Sequence, residues 1–144
     1  MIEKEIIMID KIKNQNEHFG KIAEEYYQAR TSKNYHTYRD LLLKYALRGI
    51  KSYKVLHVLE PMCGCGEGKE TVEKYISKRI IYEGFDFNET LIARAKEMDP
   101  QINIFKQDVT LFKAKKKYDI IILVGGCIMF QIMQRQCSTI YIMH

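Results

Sequence analysis

Apolar and polar positions follow two rhythms along this chain. Four short apolar runs recur between positions 55 and 124. They are Val55-Leu56-His57-Val58-Leu59, Ile80-Ile81-Tyr82-Glu83-Gly84-Phe85, Ile102-Asn103-Ile104-Phe105 and Tyr118-Asp119-Ile120-Ile121-Ile122-Leu123-Val124. Short, continuous runs rich in β-branched and aromatic residues predict strands buried on both faces. Between them the period lengthens. Leu91, Ile92, Ala95 and Met98 recur at helical spacing, Asn88 suits the N-cap, and Pro100 follows the stop. The segment after Gly68 also reads as a helix. Strands alternating with helices predict an α/β fold with a mostly parallel sheet flanked by helices.

The helical rhythm also fills residues 1–52, read here as an N-terminal cap ahead of a core at 53–126. Phe19, Ile22, Ala23, Tyr26 and Tyr27 share one helical face, and Tyr38, Leu41, Leu42, Tyr45 and Ala46 share another, before Gly49 as a C-cap. Both stripes are expected to pack on the sheet.

The chemistry concentrates after the first strand, in Glu60-Pro61-Met62-Cys63-Gly64-Cys65-Gly66-Glu67-Gly68. A strand that runs through a glycine-rich turn into a helix is where α/β proteins hold nucleotide-like cofactors. Glycine lets the backbone approach a ligand, and the new helix offers unpaired N–H groups. The turn is not a phosphate-binding P-loop: Cys63 stands where the first glycine belongs, and Lys69 is followed by Glu70. The dinucleotide fingerprint begun at Gly64 needs a small residue at 69, where Lys69 stands. Asp86 ends the second apolar run and is placed to accept bonds from ribose hydroxyls.

Taken in order, VLEPMCGCGEG, EGFDFNETLIARAKEM, FKQDVTLF and YDIIILVGG resemble the class I S-adenosylmethionine-dependent methyltransferases, over about residues 53–126. The resemblance implies a Rossmann-like, doubly wound sheet and S-adenosylmethionine as cofactor. It implies that Glu60, Cys63, Gly64 and Gly66 line the methionine end, and that Asp86 binds the ribose with Phe87 beside the adenine. It further implies that Asp108 and the Val109 backbone meet the adenine and that Tyr26 belongs to a lid. The departure is Met62, which fills the first glycine place of the commoner turn and makes the backbone there less predictable. The implied reaction is methyl transfer to a small-molecule acceptor, because no Asn-Pro-Pro-Tyr-type segment follows Val124. No catalytic base is assigned. A nicotinamide-dependent oxidoreductase is disfavoured by Lys69 and by the Gln107-Asp108-Val109 segment.

Composition changes the picture in two places. The 144 residues are 47% hydrophobic with a net charge of +5, which suits one domain with a real core. No apolar run is long enough to span a bilayer, and Glu3 and Glu5 fall where a signal peptide carries basic residues, so a cytoplasmic location is expected. Lys113, Lys115, Lys116 and Lys117 read as a solvated loop, with no nucleic-acid partner expected. Cys63-x-Cys65 with His57 lacks zinc spacing, so no metal is expected and His57 is read as a core histidine.

The second place is the tail. Only about four strands are countable, so the sheet is expected to be incomplete on its C-terminal side, with Tyr118–Val124 an open, aggregation-prone edge. Residues 127–144 hold no acid, one base and two of the four cysteines, Cys127 and Cys137. The codons of Cys127-Ile128-Met129-Phe130-Gln131, read one base earlier, permit Leu-His-His-Val-Pro. The tail is therefore expected to be an out-of-frame end of a truncated methyltransferase. On that reading the chain is an inactive fragment or binding module, or it needs a partner chain to complete the sheet.

Overall fold

The computed structural model describes residues 2–47, 49–124 and 140–143. Two helices, α1 (Ile2–Thr31) and α2 (Lys33–Ala46), precede the sheet. There follow β1 (Leu56–Pro61), α3 (Glu67–Tyr75), β2 (Ile80–Asp86), α4 (Glu89–Met98), β3 (Ile104–Lys106), β4 (Ile120–Val124) and β5 (Ile140–Met143). The sheet has the order β3-β2-β1-β4-β5, and every pairing is parallel. The chain thus winds outward from β1 to one side, then returns to β4 on the other. The direction of winding reverses between β1 and β4, and in open α/β sheets ligands bind beyond the strand ends at that point.

Alternation along the strands divides the core. Val58, Tyr82, Ile104, Ile120 and Ile122 face α3 and α4 and pack with Val72, Ile76, Ile92 and Ala95. Leu59, Phe85, Tyr118 and Ile121 form the opposite layer, covered by Phe105, Val109, Phe112 and Ala114. The expected α4 is present, and Asn88 caps it by accepting from the N–H groups of Thr90 and Leu91 at 2.9 and 3.2 Å. Gly49 takes a left-handed φ of 84° just past α2, as a helix-ending glycine should.

Two expectations change. In α2, Tyr38, Leu41 and Tyr45 are exposed and do not pack on the sheet. The helix instead turns Arg39 inward, where it pairs with Glu67 and Glu70 at 3.3 and 3.4 Å. The side chains of Leu42 and Ala46, the rest of that stripe, lie outside the described residues. In α1 Ala23 is buried and Ile22, Tyr26 and Tyr27 are half-buried, while the side chain of Phe19 lies outside the described residues. The second change is β5. Ile140–Met143 pairs with Ile121–Val124, so a strand from the tail covers the edge expected to be open. The rest of the tail, with Cys127 and Cys137, lies outside the described residues. Among the described residues no helix is long and apolar enough to cross a membrane.

Candidate functional site

The β1–α3 turn is built on left-handed backbone. Met62, Gly64 and Gly66 have φ of 53°, 52° and 80°. Met62, the residue that departs from the family pattern, therefore adopts the conformation a glycine would have taken there. The turn's own hydrogen bonds run from Gly66 N–H to the Cys63 carbonyl at 2.8 Å and from Cys63 N–H to the Phe85 carbonyl at 3.0 Å. The second bond ties the turn to the end of β2.

The three alternate glycines face different surroundings. A Cβ on Gly64 would meet nothing closer than Leu91 at 4.0 Å. A Cβ on Gly66 would lie 2.7 Å from Ile102 and 2.9 Å from Ile104, and one on Gly68 would lie 2.6 Å from the Glu60 carboxyl. Gly64 thus presents bare backbone to open space, while Gly66 and Gly68 allow the turn to close onto the core.

Asp86, at the end of β2, joins the two strand ends. One carboxylate oxygen accepts from Gly64 N–H and the other from Asn88 N–H, both at 2.8 Å. Each oxygen has a second lone pair for a further donor. Phe87 follows, half-buried, with Lys106 Nζ 5.8 Å from its ring centre. Asp108 lies just past β3 and accepts from Thr110 N–H and Oγ1 at 2.8 and 2.7 Å. Gln107 N–H donates to the Asp86 carbonyl at 2.9 Å, which holds the segment with Asp108 and Val109 beside the β2 end. The side chain of Val109 packs with Leu59, Phe85, Tyr118 and Ile121, on the sheet face away from α3 and α4.

Beneath the turn lies a buried polar knot. Glu60, 1% exposed, accepts from Gly68 N–H with both oxygens, at 3.1 and 3.0 Å, and from the Tyr82 hydroxyl. Burial pushes the Glu60 carboxyl up to about 8, against the pull of the Tyr82 hydroxyl. Burial also drives the Tyr82 hydroxyl well above its ordinary range, so it stays a donor. Cys63 is buried in the same place, and burial raises its thiol far above the thiolate range. Cys65 is pushed up to about 11, first by burial and then by the charge on Glu67. Neither thiol is an activated nucleophile.

Over the turn lies the end of α1. Arg30 donates to both oxygens of Glu67 at 3.1 and 2.9 Å, and Tyr35 and Arg39 reach the same carboxylate at 3.4 and 3.3 Å. The Arg30 guanidinium also lies 5.2 Å from the Tyr26 ring centre. Burial raises the Tyr26 hydroxyl; Arg30 opposes this, while charge on Glu67, Cys65 and Asp86 adds to it, so Tyr26 lies within electrostatic reach of both strand ends. On the other side, Tyr27 reaches Met98 Sδ at 3.3 Å and Glu24 pairs with Arg94 at 2.5 Å, which docks α1 on α4.

The structure therefore gathers Tyr26, Gly64, Asp86, Phe87 and Asp108 around the carboxyl ends of β1 to β3. It places Glu60 and Cys63 in the layer below and turns Gly66 toward the core. The roles of Tyr82, Gly84 and Arg30 were not visible in the sequence. The polar tip of Tyr82 within an apolar run does not reveal Glu60 22 positions away, nor does Arg30 reveal Glu67 37 positions away.

No protein-family model and no curated protein matches the chain. Solved structures do match, and they share its fold. The DhpI–SAM–HEP complex superposes with a TM-score of 0.63 and 17% identity over 87% of this chain and 58% of its own. A SAM-dependent methyltransferase from Thiobacillus denitrificans, in complex with S-adenosyl-L-homocysteine, gives 0.52 and 19% over 69% of this chain and 45% of its own. The plantazolicin methyltransferase BpumL, also with bound SAH, gives 0.50 and 23% over 60% and 38%. The fold is that of the class I S-adenosylmethionine-dependent methyltransferases. The chain spans between 38% and 58% of the length of these three structures.

Proposed function

We propose that this chain binds S-adenosylmethionine at the β1–α3 turn and belongs to a methyltransferase that acts on a small molecule. The observation that carries the reading is the Gly64–Asp86 bond. It places a bare stretch of backbone and a strand-end carboxylate side by side at the carboxyl ends of β1 and β2, next to the point where the winding of the sheet reverses. Gly64 leaves room for a ligand and Asp86 keeps lone pairs for ribose hydroxyls. Asp108 and the Val109 backbone would face the adenine, and Phe87 would flank it. Glu60 and Cys63 would bound the methionine end from below, Gly66 would shape the turn, and Tyr26 would close over the top.

S-adenosylmethionine supplies a methyl group already activated by its sulfonium. The protein's part is to hold that methyl in line with an acceptor and to exclude water, which is catalysis by proximity. The tyrosines and arginine of the α1 end are placed to do the second. A small acceptor agrees with the absence of an Asn-Pro-Pro-Tyr-type segment after β4.

Isothermal titration of the full chain with S-adenosylmethionine and with NAD tests the reading. Binding of the first alone supports it. Preferential binding of NAD replaces it with the oxidoreductase, and binding of neither removes the cofactor role.

A further inference from the structure

We propose that Tyr82 is a positioning residue of the cofactor site: its hydroxyl fixes the Glu60 carboxyl, and cofactor binding expels a proton from that carboxyl. The inference rests on the S-adenosylmethionine reading above and extends it to a residue outside the turn.

The geometry is specific to a tyrosine. In the β1–β2 register Tyr82 lies opposite Val58 and Gly84 lies opposite Glu60. To reach Glu60 the ring must run along the sheet face across Gly84. A Cβ on Gly84 would come 2.7 Å from the Tyr82 oxygen and 3.1 Å from its Cζ. A Cβ on Gly68 would strike the Glu60 carboxyl at 2.6 Å. Two positions therefore lack side chains where the tyrosine–glutamate contact lies. Phenylalanine would fill the same apolar space, so the hydroxyl itself needs a reason, and its contact with Glu60 supplies one.

The charges around Glu60 come from four elements. Tyr82 donates from β2, Gly68 N–H donates from α3, Glu67 of α3 repels, Arg30 of α1 attracts, and the Cys63 thiol lies in the turn. Arg30 is already engaged by Glu67. Among the described residues Glu60 is thus a buried acid with no cation of its own, and such a group holds its proton. A ligand carrying an ammonium supplies the missing positive charge. The proton then leaves to solvent, and the Tyr82 hydroxyl and Gly68 N–H hold the carboxylate that results.

The test is titration calorimetry of the full chain with S-adenosylhomocysteine at pH 6.5, in two buffers of different ionisation enthalpy. At that pH the ligand's amino group is already charged, so released protons come from the protein. The parent is expected to release about one proton and Glu60→Gln none. Tyr82→Phe is expected to bind about tenfold more weakly at pH 7, because a hydrogen bond to a charged group is lost. Its proton release should also persist to higher pH than the parent's. Binding by the parent with no proton exchange overturns the proposal, as does a Tyr82→Phe variant with the parent's affinity and pH profile. Should Tyr82→Phe not fold, the proton counts of the parent and Glu60→Gln still decide. No binding of S-adenosylhomocysteine by the parent removes the cofactor reading itself, a result distinct from the others.

Discussion

Arg30 grips Glu67 with two donors, Nε at 3.1 Å and Nη2 at 2.9 Å, across 37 positions of sequence. Glu67 begins α3, immediately after Gly66, so this pair fastens the end of α1 to the glycine-rich turn. Both side chains are largely buried, at 19% and 16% exposure, so the pair is worth more than a surface bridge. Arg30→Ala leaves Glu67 with weaker partners and should cost about 1–3 kcal/mol in urea unfolding. It should also raise the rate at which α1 is cut by limited proteolysis. Unchanged cleavage would show that α1 is held by its contacts with α4 instead.

Asp86 has a proposed binding role beside its structural one, the bonds it accepts from Gly64 and Asn88. Asp86→Ala should weaken S-adenosylmethionine binding by about 1–3 kcal/mol, because a charged acceptor for the ribose is lost. It should also lower the melting temperature, since Gly64 N–H and Asn88 N–H lose their acceptor. Helix α4 should persist, because Asn88 caps it independently. A variant with the parent's affinity refutes the ribose role.

The turn glycines should separate cleanly. Gly64→Ala has space and carries only the strain of a left-handed residue, about 1 kcal/mol, so it should fold and bind more weakly. Gly66→Val drives a branched side chain into Ile102 and Ile104 and should cost about 3 kcal/mol or more in thermal unfolding. The sequence alone suggests that valine at either Gly64 or Gly66 acts on binding with less effect on folding. A Gly66→Val protein as stable as the parent would restore that view.

Glu60 should leave a mark on stability against pH. Its carboxyl is raised in the folded protein to about 8, from an ordinary value near 4.5. The folded state therefore binds the proton more tightly than the unfolded state does. This contribution is complete below about pH 4.5 and is lost as pH rises toward 8, by about 1.4 kcal/mol per pH unit at the steepest. Glu60→Gln should flatten that decline in urea unfolding measured from pH 5 to 8. Parallel curves for the two proteins would place Glu60 in its charged form throughout.

The sheet edge gives a further test. With β5 paired to β4, the β4 edge is covered; a chain stopped at Val124 exposes it as an apolar template for other chains. The shortened chain should form larger species by light scattering than the full chain at equal concentration. Equal behaviour would show that β5 does not protect the edge.

The strands, α3, α4, the Asn88 cap and the strand-end acid Asp86 were all legible in the sequence, because each is a local pattern of period, cap or turn. What escaped notice depends on pairing at a distance. Tyr38, Leu41 and Tyr45 of α2 face outward while Arg39 turns to two acids on α3, and no periodicity shows that attraction. β5 was not seen because Ile140-Tyr141-Ile142-Met143 is four residues long in a tail of unusual composition. Tyr82 read as one more apolar strand residue, since its hydroxyl gains meaning only beside Glu60.

The clearance between Tyr82 and Gly84 carries an evolutionary consequence. A side chain at 84 would push the tyrosine at 82 out of its place, so position 84 is held to glycine while 82 is tyrosine. A lineage that gains alanine at 84 must first shorten the residue at 82, and the buried acid at 60 then loses its phenolic donor. Positions 60, 82 and 84 should therefore change together among homologues: tyrosine at 82 should occur with glycine at 84, and smaller residues at 82 should release that restriction.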